Sequence, residues 1–222
     1  MVKRTILFLL LIIGSIVLAG CFNKSSTVDK IHELLESVVE SEQTFEKQQD
    51  PLVDLEKQEK EIYGKIITLG MKEYDQIVSL SNEALGIVDK RKEHMQKEED
   101  SIESSKKEFE KLKPLIEELK DAKLKKKATE LQDTMLKRYE AHDVLYENYT
   151  KGLEYDKELY QMFQKKDLSI DQLEEQIKKI NDTYKVVLDS NKSFNEFTQK
   201  YNDIKFDFYK VAGIEIKEDD KK

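Results

Sequence analysis

Apolar residues recur every three or four positions through most of the chain after residue 27, and charged residues fill the positions between them. Alternating three- and four-residue spacing places the apolar side chains on one face of an α-helix, as in coiled-coil packing. Four long segments follow this rule, and we call the face of each helix that carries these positions its seam. Their seam residues are Ile31, Leu34, Val38, Leu52, Leu55, Ile62 and Ile66; Tyr74, Ile77, Ala84, Val88, Met95, Ile102 and Phe109; Met135, Tyr139, His142, Tyr146, Tyr149, Leu153, Tyr160 and Phe163; and Leu173, Ile177, Ile180, Tyr184, Val187, Phe194, Tyr201 and Phe208.

Proline and glycine mark where these helices should break. Pro51 interrupts the first segment, and because proline suits the first position of a helix we expect a kink or short break near residue 50. Gly70 is expected to close that segment in a left-handed conformation. Pro114 should end or kink the second segment, and Gly213 should stop the fourth.

Short turns between long helices make consecutive helices antiparallel neighbours. The predicted fold is therefore all-α: an elongated antiparallel up-and-down helical bundle over residues 27–213, followed by a charged tail at 214–222. It has four helices, or three long kinked ones if the prolines only bend the chain. Because such a bundle hides its own seams, we expect a monomer.

Several seam positions are polar. Arg91, Glu98 and Ser105 occupy one half of the second seam, so we expect the middle of that helix to be less buried and open to a protein partner. Glu59, Glu98 and Asp156 are the acids on the seams, and we expect them to be partly exposed. The aromatic third seam, with His142 in it, is typical of core packing.

The first twenty residues have a different pattern. Lys3 and Arg4 precede an almost wholly apolar stretch over 5–17, which ends in Leu18-Ala19-Gly20-Cys21. This order is typical of a secretory signal peptide. The apolar stretch is shorter than the ~20 residues that a membrane span needs, and an uncut N-terminal anchor is the alternative. We predict a signal peptide over 1–20 and a short tether over 21–26.

Composition narrows the possible functions. The formal charge is −8, and removal of residues 1–20 with their two cations makes it −10. An acidic surface repels polyphosphates, which argues against nucleic-acid binding. Cys21 is the sole cysteine, so its use as an anchor would leave no thiol for catalysis, disulfides or metal binding.

The usual catalytic and metal-binding patterns are missing from the sequence. None of the three histidines follows a glutamate at the spacing used by di-iron bundles, and there is no glycine-rich phosphate loop. We therefore predict no enzyme activity, no metal and no cofactor. A cluster of buried carboxylates in the folded chain would favour an enzyme instead.

One basic patch stands out in this acidic protein and is a candidate contact for an anionic polymer or lipid head group. It consists of Lys120, Lys123, Lys125, Lys126 and Lys127. The alternative is a solvated start of a helix.

Two resemblances add to this picture. Leu18-Ala19-Gly20-Cys21 resembles the lipobox of bacterial lipoproteins, which implies diacylglycerol and acyl chains such as palmitate on Cys21. The rest of the chain resembles the YkyA-type cell-wall binding lipoproteins of Firmicutes, through the stretches 137–142, 156–160, 165–169 and 176–181. That resemblance implies a helical bundle on the outer face of the cell membrane, with a proposed role at the cell wall and no catalytic residues.

We therefore expect a noncatalytic, membrane-anchored surface lipoprotein that binds wall polymer or acts as a spacer. The alternative is an extracytoplasmic protein-interaction module, an adaptor or holdase for exported proteins.

Overall fold

The computed structural model describes residues 26–215, and within that range the regular structure is helical without strands. The elements are α1 (Thr27–Ser41), α2 (Gln43–Ile66), a 3-10 turn (Met71–Glu73), α3 (Tyr74–Phe109), α4 (Leu112–Glu118), α5 (Ala122–Phe163) and α6 (Ile170–Ala212). The predicted all-α bundle is confirmed. The first predicted segment corresponds to α1 and α2, and the second to α3 and α4. The predicted signal peptide, Cys21 and the end of the tail lie outside the described residues.

The described chain forms two compact units. Unit 1 contains residues 26–43, 101–142 and 191–215, and unit 2 contains residues 44–100 and 143–190. The long helices α3, α5 and α6 contribute to both.

Unit 1 begins at a helix cap. The Ser26 hydroxyl accepts a hydrogen bond from the Asp29 amide at 3.1 Å, and the Ser26 amide donates to the Asp29 carboxylate at 2.9 Å. Such a reciprocal pair satisfies amides that a helix start leaves unpaired. Behind the cap, α1 packs against α4. In the core, the Phe109 ring meets the rings of Tyr139 and Tyr201 edge-on, with centroids 6.0 and 6.3 Å apart.

The break in the first segment is at Glu42; the expected break near residue 50 is absent, and the expected kink there stays a prediction. Pro51 lies within the continuous helix α2. At the break, the Glu42 side chain is buried with 2% of its surface exposed, and the Ser101 hydroxyl donates to the carbonyl of Ser41 at 2.7 Å. The chain therefore breaks where a buried side chain and a replacement hydrogen-bond donor stabilise the break.

The other expected helix ends, at Gly70, Pro114 and Gly213, have different outcomes. The left-handed cap at Gly70 is wrong: Gly70 is extended, with φ −102°, and its amide donates to Glu73 at 3.0 Å. Gly70 thus starts the next turn rather than ending α2. Helix α3 ends at Phe109, before Pro114, which lies in the first turn of α4. Gly213 does adopt a left-handed conformation, with φ +74°, and follows α6 as predicted.

Unit 2 has an apolar core from α2, α3, α5 and α6. Its buried members are Leu52, Leu55, Ile62, Ile66, Ile77, Ala84, Ile87, Val88, Met95, Leu145, Tyr149, Leu153, Tyr160 and Val187. Gly152 of α5 lies directly under the Tyr184 ring of α6: a Cβ atom built on Gly152 would be 3.0 Å from Tyr184 Cζ. The absence of a side chain at Gly152 lets the two helices approach here.

We predict that Gly152→Ala destabilises the protein although alanine is the better helix former. The new methyl would displace a ring whose hydroxyl is held by hydrogen bonds, and overpacking of this kind costs about 1–3 kcal/mol. Gly64→Ala and Gly86→Ala are matched controls, because a Cβ atom at those positions meets nothing within 4 Å. They should raise the free energy of unfolding by up to about 1 kcal/mol. Urea denaturation measures all three, and a Gly152→Ala protein as stable as Gly86→Ala would contradict the prediction.

Candidate functional site

A buried arginine organises the polar interior of unit 2. Arg91 of α3 has 4% of its surface exposed, and its Nη1 lies 2.5 Å from Glu59 Oε2 of α2 and 3.4 Å from Asp156 Oδ2 of α5. Its Nε and Nη2 both donate to the Tyr149 hydroxyl, at 3.0 and 2.8 Å, and Nη2 also donates to the Tyr184 hydroxyl at 3.0 Å. We call these five residues the Arg91 cluster.

The two tyrosines of the Arg91 cluster also donate hydrogen bonds to carboxylates. Tyr184 donates to Asp156, and Tyr149 donates to Glu56 at 3.0 Å. Glu59 and Asp156 have 6% of their surface exposed, so both lie under the surface of unit 2. Seam spacing places these side chains on the buried faces of their helices, because Arg91, Tyr149, Asp156 and Tyr184 all occupy seam positions.

The Arg91 cluster holds one arginine against two buried acids, and this imbalance shows in Asp156. Burial and the nearby charge of Glu59 raise the pKa of Asp156 from 3.8 to about 7, although Tyr184 and Arg91 favour the ionised form. Burial likewise raises the pKa of the Tyr149 and Tyr184 phenols, which therefore stay neutral donors. Near neutral pH the cluster can hold or release one proton on Asp156.

Unit 1 contains a second buried arginine with a simpler arrangement. Arg138 of α5 makes two parallel bonds to Glu42, each 2.7 Å, and its Nε donates to the Thr198 hydroxyl at 2.9 Å. The Ser105 hydroxyl donates to Glu42 at 2.6 Å and lies 2.7 Å from the Tyr139 hydroxyl. We call these five residues the Arg138 cluster. Its single pair of charges is balanced.

The structure corrects the predictions for polar seam positions. Arg91, Glu98 and Ser105 were expected to be less buried, but 4%, 4% and 0% of their surfaces are exposed. Glu59 and Asp156 are also buried rather than partly exposed, and they meet at Arg91. The prediction failed because each polar residue has a partner on another helix, which one seam read alone does not reveal. A protein-docking surface at Arg91–Ser105 is therefore wrong.

Three residues of the Arg138 cluster, Arg138, Glu42 and Thr198, were not recognised in the sequence. Arg138 follows Met135 by three positions and precedes His142 by four, so its spacing already places it on the buried face of α5. Glu42 gave no comparable signal. Placement of the aromatic seam in the core is confirmed: His142 has 0% of its surface exposed, and its ring centroid lies 5.5 Å from that of Phe194.

The structure separates the five predicted patch lysines into two kinds. Lys125 lies 2.9 Å from Glu117, and Lys127 lies 3.2 Å from Asp207, so these two already contact acids of unit 1. Lys120, Lys123 and Lys126 are exposed near the start of α5. A role of the patch in anion binding stays a prediction.

A cluster of buried carboxylates, the feature that would favour an enzyme, is present at Arg91. Its chemistry differs from that of a catalytic pair, since both acids are buried, Arg91 bonds to each of them and the Tyr184 phenol donates to Asp156. Among residues 26–215, no helix is long and apolar enough to cross a bilayer.

Comparison with known proteins gives one family. Residues 26–211 match the YkyA family, described as "Putative cell-wall binding lipoprotein". A curated relative, "Uncharacterized lipoprotein YkyA" of Bacillus subtilis (strain 168), is 40% identical over 203 residues, which is 91% of each chain.

A solved structure has the same fold. A crystal structure of a conserved protein of unknown function from Staphylococcus aureus superposes with a TM-score of 0.71, covering 84% of this chain and 97% of that one. Its sequence identity is 16%, so the likeness concerns the fold alone.

The raised pKa of Asp156 leads to a pH-dependence prediction. Folded Asp156 keeps its proton at pH values where the unfolded chain has lost it, so this contribution to stability falls as pH rises from about 4 to about 7 and is then flat. Asp156→Asn imitates the protonated form. The free energy of unfolding of Asp156→Asn minus that of wild type should therefore be about 2 kcal/mol larger at pH 8 than at pH 5.

Urea denaturation at the two pH values measures this difference, and Asp182→Asn, at an exposed aspartate of α6, is the control. An Asp156→Asn difference that is the same at both pH values would show that Asp156 does not change its charge in this range.

Proposed function

The chain belongs to the YkyA family, and from that premise we propose that its mature form is a noncatalytic lipoprotein on the outer face of the cell membrane, which binds the cell wall or acts as a spacer there. The observation that carries this proposal is the family match itself. It spans almost the whole helical bundle, from residue 26 to residue 211, and it begins five residues after Cys21.

Anchoring is proposed to occur through Cys21. The apolar stretch and the Leu-Ala-Gly-Cys sequence before the cysteine suit a lipoprotein signal. Two or more acyl chains hold a protein at a bilayer stably, whereas one chain alone binds only marginally. With the lipid on its sulfur, Cys21 would replace the signal peptide as the attachment to the membrane.

We propose that the protein is not an enzyme because its buried acids are bonded to other side chains of the protein. Chemistry on a substrate needs acids or bases that the substrate can reach. In the Arg91 cluster both acids are buried and bonded to Arg91, and Asp156 also accepts from Tyr184; in the Arg138 cluster Glu42 accepts two hydrogen bonds from Arg138. Both arrangements favour a structural role, in which buried charges fix how helices pair.

The anchor is tested on the full-length chain expressed with its signal segment in a Gram-positive host. We expect the N-terminal peptide of the mature protein to start at Cys21 and to carry the mass of a diacylglycerol, and the protein to incorporate labelled palmitate. Cys21→Ser should incorporate none, because a hydroxyl replaces the thiol that forms the thioether. A wild-type peptide that retains residues 1–20 without added mass would contradict the proposal and indicate an uncut anchor.

Wall binding is tested by sedimentation of the mature chain, carrying Cys21→Ser to remove the lipid, with purified cell wall. Wall stripped of its anionic polymers and a series of salt concentrations separate the ligands. We expect co-sedimentation well above that of an unrelated acidic helical protein. Binding that survives stripping and salt would indicate a glycan ligand, and binding lost with both would indicate the anionic polymer.

No co-sedimentation under any condition would overturn the wall-binding role. The protein-interaction alternative would then be pursued by cross-linking the lipoprotein to exported proteins in intact cells.

A further inference from the structure

We propose that the exposed lysines near the start of α5 lie on the anionic lipid surface of the membrane that holds Cys21. This inference rests on the proposed anchoring and assigns a partner to the basic patch. The patch is defined here as Lys120, Lys123 and Lys126. Lys125 and Lys127 are left out because they contact Glu117 and Asp207.

The first observation is where the basic patch lies relative to the start of α1. The described chain begins at Ser26, and the next residue, Thr27, donates from its hydroxyl to Glu118 Oε2 at 3.4 Å. Lys30 lies 4.0 Å from the same carboxylate. Glu118 is the last residue of α4, and only residues 119–121 separate it from α5. The start of α1 and the basic patch therefore lie at the same end of unit 1.

The length of chain before Ser26 fixes how far this end can be from the bilayer. Cys21 and Ser26 are five residues apart, and five residues span at most about 18 Å when fully extended. The electrostatic potential of a charged surface decays over about 8 Å at physiological salt. With its lipid in the membrane, Cys21 lets the patch reach the head groups, where a polymer of the wall would have to compete with them.

The second observation is charge. Residues 111–127 carry seven lysines and three acids, in a protein whose formal charge is −8. Besides the three patch lysines, Lys113 of the same stretch is exposed, while Lys111 lies 2.6 Å from Glu108. Because an anionic bilayer repels the acidic remainder of the chain, this end is the one that it attracts.

The third observation is that local stability does not explain the lysines. Lys123 and Lys126 lie in the first turns of α5, where the positive end of the helix dipole disfavours cations. Asp121 already caps the helix, accepting from the amides of Lys123 and Leu124 at 2.8 and 2.9 Å. An external anionic surface supplies the compensation that the helix lacks.

The experiment uses the lipidated protein in vesicles. Because Cys21 is the sole cysteine and is blocked by lipid, Ala122→Cys gives one free thiol beside the patch, at an exposed position. A fluorophore on that thiol is measured against a quencher attached to lipid head groups. We expect strong quenching in vesicles that contain anionic lipid, and weaker quenching in neutral vesicles or at high salt.

The test variant is Lys120→Gln, Lys123→Gln and Lys126→Gln together. The matched control is Lys137→Gln, Lys192→Gln and Lys200→Gln, which removes the same charge from other exposed positions of unit 1. Only the test variant should lose the quenching that depends on anionic lipid. It should also be no less stable than wild type, since two of its changes relieve the helix dipole. Equal quenching in neutral and anionic vesicles, or equal loss in the control variant, would overturn the proposal.

A second measurement keeps failure of the anchor distinct from failure of the patch. The mature chain with Cys21→Ser is sedimented with vesicles that contain anionic lipid, and its partition coefficient should fall roughly a hundredfold in the test variant, at about a factor of five per lysine. This result supports the patch even if Cys21 proves to carry no lipid. A test variant that loses binding to purified wall while keeping its vesicle binding would assign the lysines to wall polymer and overturn the proposal.

Discussion

A charge buried among apolar helices is stable only when an opposite charge and hydrogen bonds reach it, and both units of this bundle are organised by that requirement. Each unit holds one buried arginine, Arg91 in unit 2 and Arg138 in unit 1. Removing one partner of such a pair typically costs about 3–5 kcal/mol, because it leaves an uncompensated charge in the interior. The helices must therefore pair in the register that brings Glu59 to Arg91 and Glu42 to Arg138.

The same requirement explains where the first helical segment breaks. Glu42 lies between α1 and α2, and from there its carboxylate reaches Arg138 and the Ser105 hydroxyl. At the break, the Ser101 hydroxyl donates a hydrogen bond to the carbonyl of Ser41. Pro51 lacks an amide donor, yet it lies within α2 without ending it. Tertiary partners thus outweighed the local preference of proline.

The sequence was sufficient to predict the fold but not the arrangement of the buried polar residues. Spacing predicted the buried aromatic face of α5 and the helical segments, because apolar burial depends on periodicity within one helix. The burial of Glu98 and Ser105 could not be predicted this way, since it depends on Gln49 for one and Glu42 for the other, both distant in sequence. Arg138 was predictable from its spacing to Met135 and His142. The extended conformation of Gly70 was not, because it follows from a hydrogen bond to Glu73.

The pair of hydrogen bonds between Arg138 and Glu42 also has a mechanical consequence. If the chain is held at Cys21, a pull from the membrane enters at Ser26, is shared with α4 where Thr27 and Lys30 reach Glu118, and continues along α1 to the break at Glu42. There two parallel bonds of 2.7 Å join Glu42 to α5, and a load along α1 must rupture both together rather than one after the other. The break in the helix is thus one of the points where tension on the tether passes into the rest of unit 1.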